Sequence, residues 1–284
     1  MKKLAFGIDI GGINTAFGLV DEKGELFGES VISTRAYPNY QDYPRYVADL
    51  CEAMKLLVNA VNFEFELIGI GVGAPNANFY KGTIETPANL WKFTAEDANQ
   101  DENLRIFNFA EDIKANFPGV PVYVTNDANA ATIGEMVYGN AKGMQDFVMI
   151  TLGTGLGSGF VANGEMIYGH DGFAGEFGHV IVERNNGRAC GCGRRGCLET
   201  YVSATGIKRT AFELMAKMTD PSELRDISFN DFDASMISAA AAKGDPVALE
   251  TFRYTGEMLG RALADAVVIS SPKAIFLFGG LAKA

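Results

Sequence analysis

Apolar residues along this chain fall into short continuous runs and spaced stripes, separated by polar and glycine-rich stretches. Residues 4–10 form a brief apolar run rich in strand formers. Residues 15–20 form a second, and Asp21-Glu22-Lys23-Gly24 reads as a turn before a third at 26–34. Within 43–61, Val47, Leu50, Met54, Leu57, Val58 and Val61 recur at three- and four-residue spacing, which predicts a helix with one buried face. Residues 67–72 then predict a buried strand, 106–116 a helix, 120–124 a strand and 128–137 a helix.

The pattern starts again after residue 146. Residues 147–152 predict a strand entering a glycine turn, and 159–162 the strand leaving it. Residues 6–20 and 148–161 each read strand, glycine-rich turn, strand. Each then reaches a second turn ending in Gly-Glu, at Gly24-Glu25 and Gly164-Glu165. One supersecondary unit used twice points to a duplicated domain, with a chance match of two hairpins as the alternative. From Ser203 onward the pattern is mainly helical, over 204–218, 233–242 and 246–270, before a last strand at 273–278 that runs into Gly279-Gly280. The expected fold is α/β, with two related domains at 1–125 and 126–284, the second larger. A strand and turn at a sheet edge normally lead into a covering helix, so closing C-terminal helices are expected to be missing after Ala284.

Composition narrows the function classes. With 48% apolar residues, the 284-residue chain can bury a sizeable core. Its net charge of −11 disfavours a nucleic-acid partner and an anionic membrane surface. No apolar run reaches the roughly 18 residues of a membrane span, and Asp9 interrupts the N-terminal run too early for a signal peptide, so a cytoplasmic protein is expected. Of four cysteines, Cys51 falls in the helical stripe and reads as a small buried residue. Cys190, Cys192 and Cys197 are clustered, which in a reducing compartment suggests a metal site.

The candidate chemistry lies in three places. The turn Asp9-Ile10-Gly11-Gly12-Ile13-Asn14-Thr15 can aim backbone N–H groups at phosphate oxygens, and Asp9 could hold Mg²⁺; a plain hairpin is the other reading. Residues 153–159 carry four glycines, a stronger signal for close backbone approach, with Thr154 and Gly155 at the turn. Two such hairpins, one per domain, would suit a triphosphate across a cleft. In Thr125-Asn126-Asp127-Ala128, Asp127 falls where a strand meets a helix. It could cap that helix, or accept a proton from an attacking hydroxyl. Finally, Cys190, Cys192 and Cys197 with one histidine give the Cys₃His set of a structural zinc site. His179, in Glu176-Phe177-Gly178-His179, is preferred over His170 as the fourth ligand. Zinc would then fix Glu176 and Glu199 in place.

Together these segments resemble the ROK family of sugar kinases and sugar-responsive repressors. The resemblance is carried by residues 152–179, by Cys190-Gly-Cys192-Gly-Arg-Arg-Gly-Cys197-Leu-Glu199 and by Asn126-Asp127-Ala128-Asn129-Ala130. It implies duplicated actin-like, ribonuclease-H-like domains with a sugar and ATP cleft between them, a small-molecule sugar as partner, and a homodimer. It further implies Asp127 as the base, and Asn89, Asn126, Glu176, His179 and Glu199 as sugar contacts. Asp9, Gly11, Gly12, Thr154 and Gly155 would line the phosphates, with Gly279 and Gly280 near the adenosine. Ile13 stands where the family carries Thr, removing a hydroxyl that could bond phosphate. Trp91 and Lys92 follow Asn89-Leu90, ahead of an acidic stretch at 94–102. The expected activity is an ATP-dependent hexose kinase, with glucose first because Glu176, His179 and Glu199 occur together. The alternatives are an N-acetylhexosamine or fructose kinase, a non-catalytic sugar-binding protein, or a sugar-sensing regulator. The last would need a helix-turn-helix ahead of a turn that here begins at Asp9.

Overall fold

The computed structural model describes residues 1–87, 90–93 and 105–283. They divide into two compact units, Met1–Gly143 with Tyr168–Ala174, and Met144–Ile167 with Gly175–Ala284.

In the first unit, β1 (Lys2–Ile10), β2 (Thr15–Val20) and β3 (Leu26–Ile32) form an antiparallel meander. Helix α1 (Tyr43–Ala60) leads to β4 (Phe65–Gly73), which pairs parallel with β1. Short strands β5 (Ala77–Asn78), β6 (Thr83–Glu85) and β7 (Ile106–Phe107) make a separate small antiparallel sheet. After α2 (Phe109–Lys114), β8 (Val122–Thr125) joins β4 in parallel, and α3 (Asp127–Tyr138) follows. The main sheet has the order β3-β2-β1-β4-β8. In β1, Leu4, Phe6, Ile8 and Ile10 are buried, while Gly7 and Asp9 alternate onto the opposite, accessible face, as a two-residue period requires. Helix α1 buries Tyr43, Tyr46, Val47, Leu50, Cys51 and Met54 as one stripe. Its Pro44 lies in the first turn, where no N–H partner is lost. Gly28 of β3 admits the helix closely, since a Cβ there would lie 2.9 Å from Leu57 Cδ1.

Two expectations change here. The segment 106–116 is not one helix: Ile106 and Phe107 pair with β6, and the helix starts at Phe109. The first unit also runs past residue 125 to Gly143, because α3 packs back on β4.

The second unit repeats the first. Strands β9 (Phe147–Leu152), β10 (Leu156–Ala162) and β11 (Glu165–Met166) form a meander, and β12 (Ala274–Phe278) pairs parallel with β9. The order β11-β10-β9-β12 matches β3-β2-β1-β4, and the hairpin glycines Gly24 and Gly164 take the same left-handed backbone, φ 80° and 79°. The duplication read from the sequence is therefore a repeated topology. Between β11 and β12 run α4 (Ala204–Lys217), α5 (Ala234–Ala242) and α6 (Pro246–Ser270). Asp245 caps α6 by accepting the N–H groups of Val247 and Ala248, each at 3.0 Å. Val148, Ile150, Leu152 and Leu156 pack with Phe177, Leu198, Tyr201 and Met258 in this unit's core. Among the described residues, no helix is long and apolar enough to cross a membrane.

Candidate active site and metal centre

In the first unit the candidate residues gather where β1, β4 and β8 end side by side. Asp9 pairs with Gly73, and Gly73 with Thr125. Asn126 takes the capping position of α3, its Oδ1 accepting the Ala128 N–H at 2.9 Å. Asp127 also accepts that N–H, at 2.8 Å, but stands inside the first turn with its side chain exposed. Capping therefore does not depend on Asp127. Gly73 brings α3 down onto the sheet, since a Cβ there would lie 3.0 Å from Ala130 Cβ and 3.5 Å from Asp127 Cα. Partial burial, and then the charge of Asp127, raise the Asp9 carboxyl above its ordinary range, although solvent still reaches it. On the same sheet face Gly7 and Gly71 leave the backbone bare, with no atom nearer than 3.8 Å to a Cβ built at either.

The first glycine turn is closed by the Gly11 N–H donating to Asn14 O at 3.0 Å and tied down by the Arg35 N–H donating to Ile13 O at 3.1 Å. Below it, Thr15 Oγ1 is buried against Thr34 Oγ1 at 2.9 Å and Tyr46 OH at 2.7 Å. Gly12 lies at the exposed tip, and the Ile13 side chain is 56% exposed. Asn89 and the acidic stretch 94–102 lie outside the described residues.

In the second unit the β9–β10 turn is only Gly153-Thr154-Gly155, because Leu152 and Leu156 already pair. Gly157, Ser158 and Gly159 belong to β10, which shortens the seven-residue turn expected from the glycine spacing. The turn is held at its base by the Ala204 N–H on Gly153 O at 2.9 Å and Thr205 Oγ1 on Thr154 O at 3.0 Å. Glu199 reaches it from 43 residues away: its Oε2 accepts the Leu156 N–H at 2.9 Å. Gly155 makes room for that carboxylate, since a Cβ there would fall 2.4 Å from Oε2. Buried Ser158 organises the next segment by donating to Gly175 O and accepting the Phe177 N–H at 3.0 Å. This places Glu176, exposed, at the head of the single turn Phe177–His179. At the end of β12, Gly279 (φ 108°) packs on the β9 backbone, a Cβ there falling 2.3 Å from Leu152 O, while Gly280 is open. Thr154, Gly155 and Gly279 thus share one end of this sheet. Sequence reasoning missed Gly73 and Ser158, which no local pattern marks.

The zinc motif folds as a compact knot. His179, Cys190, Cys192 and Cys197 bring their ligand atoms within 4.8 Å of one another, and His170 is not in the group. Cys192 and Cys197 sulfurs are 3.7 Å apart, and Cys190 Sγ is 3.7 Å from His179 Nδ1. A tetrahedral zinc with ordinary bond lengths needs S···S and S···N edges of about 3.8 and 3.6 Å, so the spacing fits that ion. With Nδ1 turned inward, the other ring nitrogen of His179 remains for a second contact. Glu199 Oε1 lies 3.9 Å from Cys190 Sγ, so this one carboxylate touches both the cluster and the glycine turn. Arg188, 7% exposed, anchors the knot to α4. It forks onto Glu213 at 2.9 and 2.8 Å and donates to Thr200 O at 2.7 Å, Gly206 O at 3.2 Å and Thr210 Oγ1 at 3.0 Å.

A family model described as the ROK family matches residues 5–284. The chain belongs to the ROK family. It is 33% identical over 284 residues to a glucokinase of Streptomyces coelicolor, spanning 98% of this chain and 82% of that protein. A ROK glucokinase from Streptomyces griseus, solved with glucose and AMPPNP, superposes with a TM-score of 0.72 at 31% identity, covering 99% of this chain and 84% of that one. A ROK transcriptional regulator, a homologue of the Escherichia coli MLC protein, superposes at 0.82 with 24% identity, covering 100% and 66%; at that identity it speaks for the fold alone. The chain has the two-domain, actin-like α/β fold of the ROK sugar kinases.

Proposed function

We propose that this ROK protein is an ATP-dependent hexose kinase that phosphorylates glucose. The observation that carries this reading is Asp127, which shares the capped Ala128 N–H with Asn126 and stands exposed at the carboxyl end of the sheet beside Asp9. The full-length likeness to glucokinases, one solved with glucose and an ATP analogue, supports it.

In this reading Asp127 accepts the proton of the sugar O6 hydroxyl as that oxygen attacks the γ-phosphate of MgATP in line. Asp9 would hold the Mg²⁺ that accompanies ATP, directly or through water. Gly11 shapes the first turn so that the Gly12 N–H, with those of Thr154 and Gly155, would steady the phosphates, while Gly279 and Gly280 would lie along the adenosine. Asn89, Asn126, Glu176, His179 and Glu199 hold the sugar hydroxyls. His179, Cys190, Cys192 and Cys197 would hold a structural zinc, which would fix a loop that has few apolar residues to pack. Bound through Nδ1, His179 keeps an N–H on its other nitrogen to give a sugar oxygen.

An ADP-release assay with MgATP and a panel of glucose, mannose, fructose, N-acetylglucosamine and N-acetylmannosamine tests the reading. Turnover led by another member of the panel would replace glucose as the substrate, and none with any sugar would defeat the kinase assignment. Asp127→Asn should leave the sugar KM nearly unchanged and lower kcat about 10²–10⁴-fold. Near-normal turnover in that variant would remove Asp127 from its role.

A further inference from the structure

Arg194 fills an unassigned position inside the zinc motif, yet it bonds two of the four ligand residues and stands beside a third. Its carbonyl accepts the Cys190 N–H at 2.9 Å, and its Nη2 donates to the His179 carbonyl at 2.9 Å. Its guanidinium also stands close to the Cys192 sulfur, two residues away. Cys192 is the exposed cysteine of the set, and Arg194 is exposed beside it.

Charge gives these contacts a purpose. Three thiolates, a neutral imidazole and Zn²⁺ leave the centre with a net charge of about −1. The centre belongs to a chain already at −11. An exposed, negatively charged thiolate is open to protonation and to competing chelators. A guanidinium held beside that sulfur returns the centre to neutrality, and its bond to the His179 carbonyl holds that peptide so that the ring keeps Nδ1 inward. Neighbouring Arg195 carries the same charge, but it enters the loop through a backbone bridge with Ala189.

We propose that Arg194 is the outer-sphere positioning residue of the metal centre, neutralising it and holding Cys192 and His179 in ligating orientation. The inference rests on the zinc reading above. It goes beyond that reading by giving metal retention to a residue that is not a ligand.

The test uses the full chain purified with zinc, its metal content measured by elemental analysis, and the rate of zinc transfer to a chromogenic chelator. Arg194→Met should release zinc about 10–100-fold faster, the usual worth of an outer-shell partner. Arg194→Lys, which keeps the charge and loses the fork, should fall between. Arg195→Met removes the same charge one residue away and should stay within about twofold of wild type. Cobalt(II)-loaded protein should show a shifted thiolate charge-transfer band in Arg194→Met and not in Arg195→Met. Equal release from wild type and Arg194→Met, or equal acceleration in Arg195→Met, would overturn the role of Arg194 while leaving the zinc site intact. A wild-type protein that holds no zinc would overturn both. If Arg194→Met does not fold, the comparison of Arg194→Lys with Arg195→Met decides the question.

Discussion

Substituting Gly155 by alanine probes the contact between Glu199 and the β9–β10 turn. The added methyl would fall 2.4 Å from Glu199 Oε2, about 1 Å inside ordinary van der Waals contact. The atom it meets is the end of a flexible side chain, so the carboxylate swings away and the backbone stays. That swing breaks the 2.9 Å bond from the Leu156 N–H. A hydrogen bond to a charged acceptor is worth about 1.5–3 kcal/mol. At about 2–4 °C per kcal/mol, the melting temperature should fall by about 3–12 °C, leaving the protein folded at 25 °C. If Glu199 also holds a sugar hydroxyl, the same displacement removes a second charge-assisted bond. The kcat/KM for glucose should then drop by about 10–150-fold. The checks are thermal unfolding and ADP-release kinetics with glucose varied at saturating MgATP. A lowered melting temperature with unchanged kcat/KM for glucose would refute Glu199 as a sugar contact. No change in either would refute the contact itself.

Three further outcomes follow from the same geometry. Asp9 has its carboxyl raised above 3.8 by burial and by Asp127, so the folded state binds its proton more tightly and stability falls as pH rises from 3.8 through the folded value. Asp9→Asn should remove that term, becoming more stable relative to wild type as pH rises through that window in urea titrations, while losing activity with MgATP; a pH-independent difference would contradict it. Ile13→Thr returns a hydroxyl to an exposed position of the first glycine turn and should lower the KM for ATP by about 2–10-fold, the worth of one hydrogen bond, in kinetics with ATP varied. Arg188→Met strips the buried donors from Thr200 O, Gly206 O and Thr210 Oγ1. It should cost about 3–5 kcal/mol, or about 6–20 °C in melting temperature by calorimetry.

Much of this protein is legible along the chain. The apolar run of β1, the stripe of α1 and the span of α6 each depend on residues a few positions apart, and each appears where the pattern puts it. The duplication is legible for the same reason, because hairpin, left-handed glycine and second strand are local events repeated. The four side chains of the candidate metal cluster are also announced by residue type and spacing, three of them within one short loop.

Distance along the chain sets the limit. Strands of two or three residues such as β5, β6 and β7 are too short to show a period, so a segment read as one helix became strand and helix. Gly157 and Gly159 resemble turn residues by composition, and only pairing with β9 makes them strand. Asp9 and Asp127 are linked through the register of β1, β4 and β8 and through the absence of a side chain at Gly73. Glu199 meets the Leu156 N–H across 43 residues, and Arg194 closes on His179 across 15. The sequence by itself determined the elements, their duplication and the identities of the reactive groups, because those depend on local backbone preference and on side-chain chemistry. Tertiary structure alone decided which of those groups touch, because sheet register and close packing join positions that no local pattern relates.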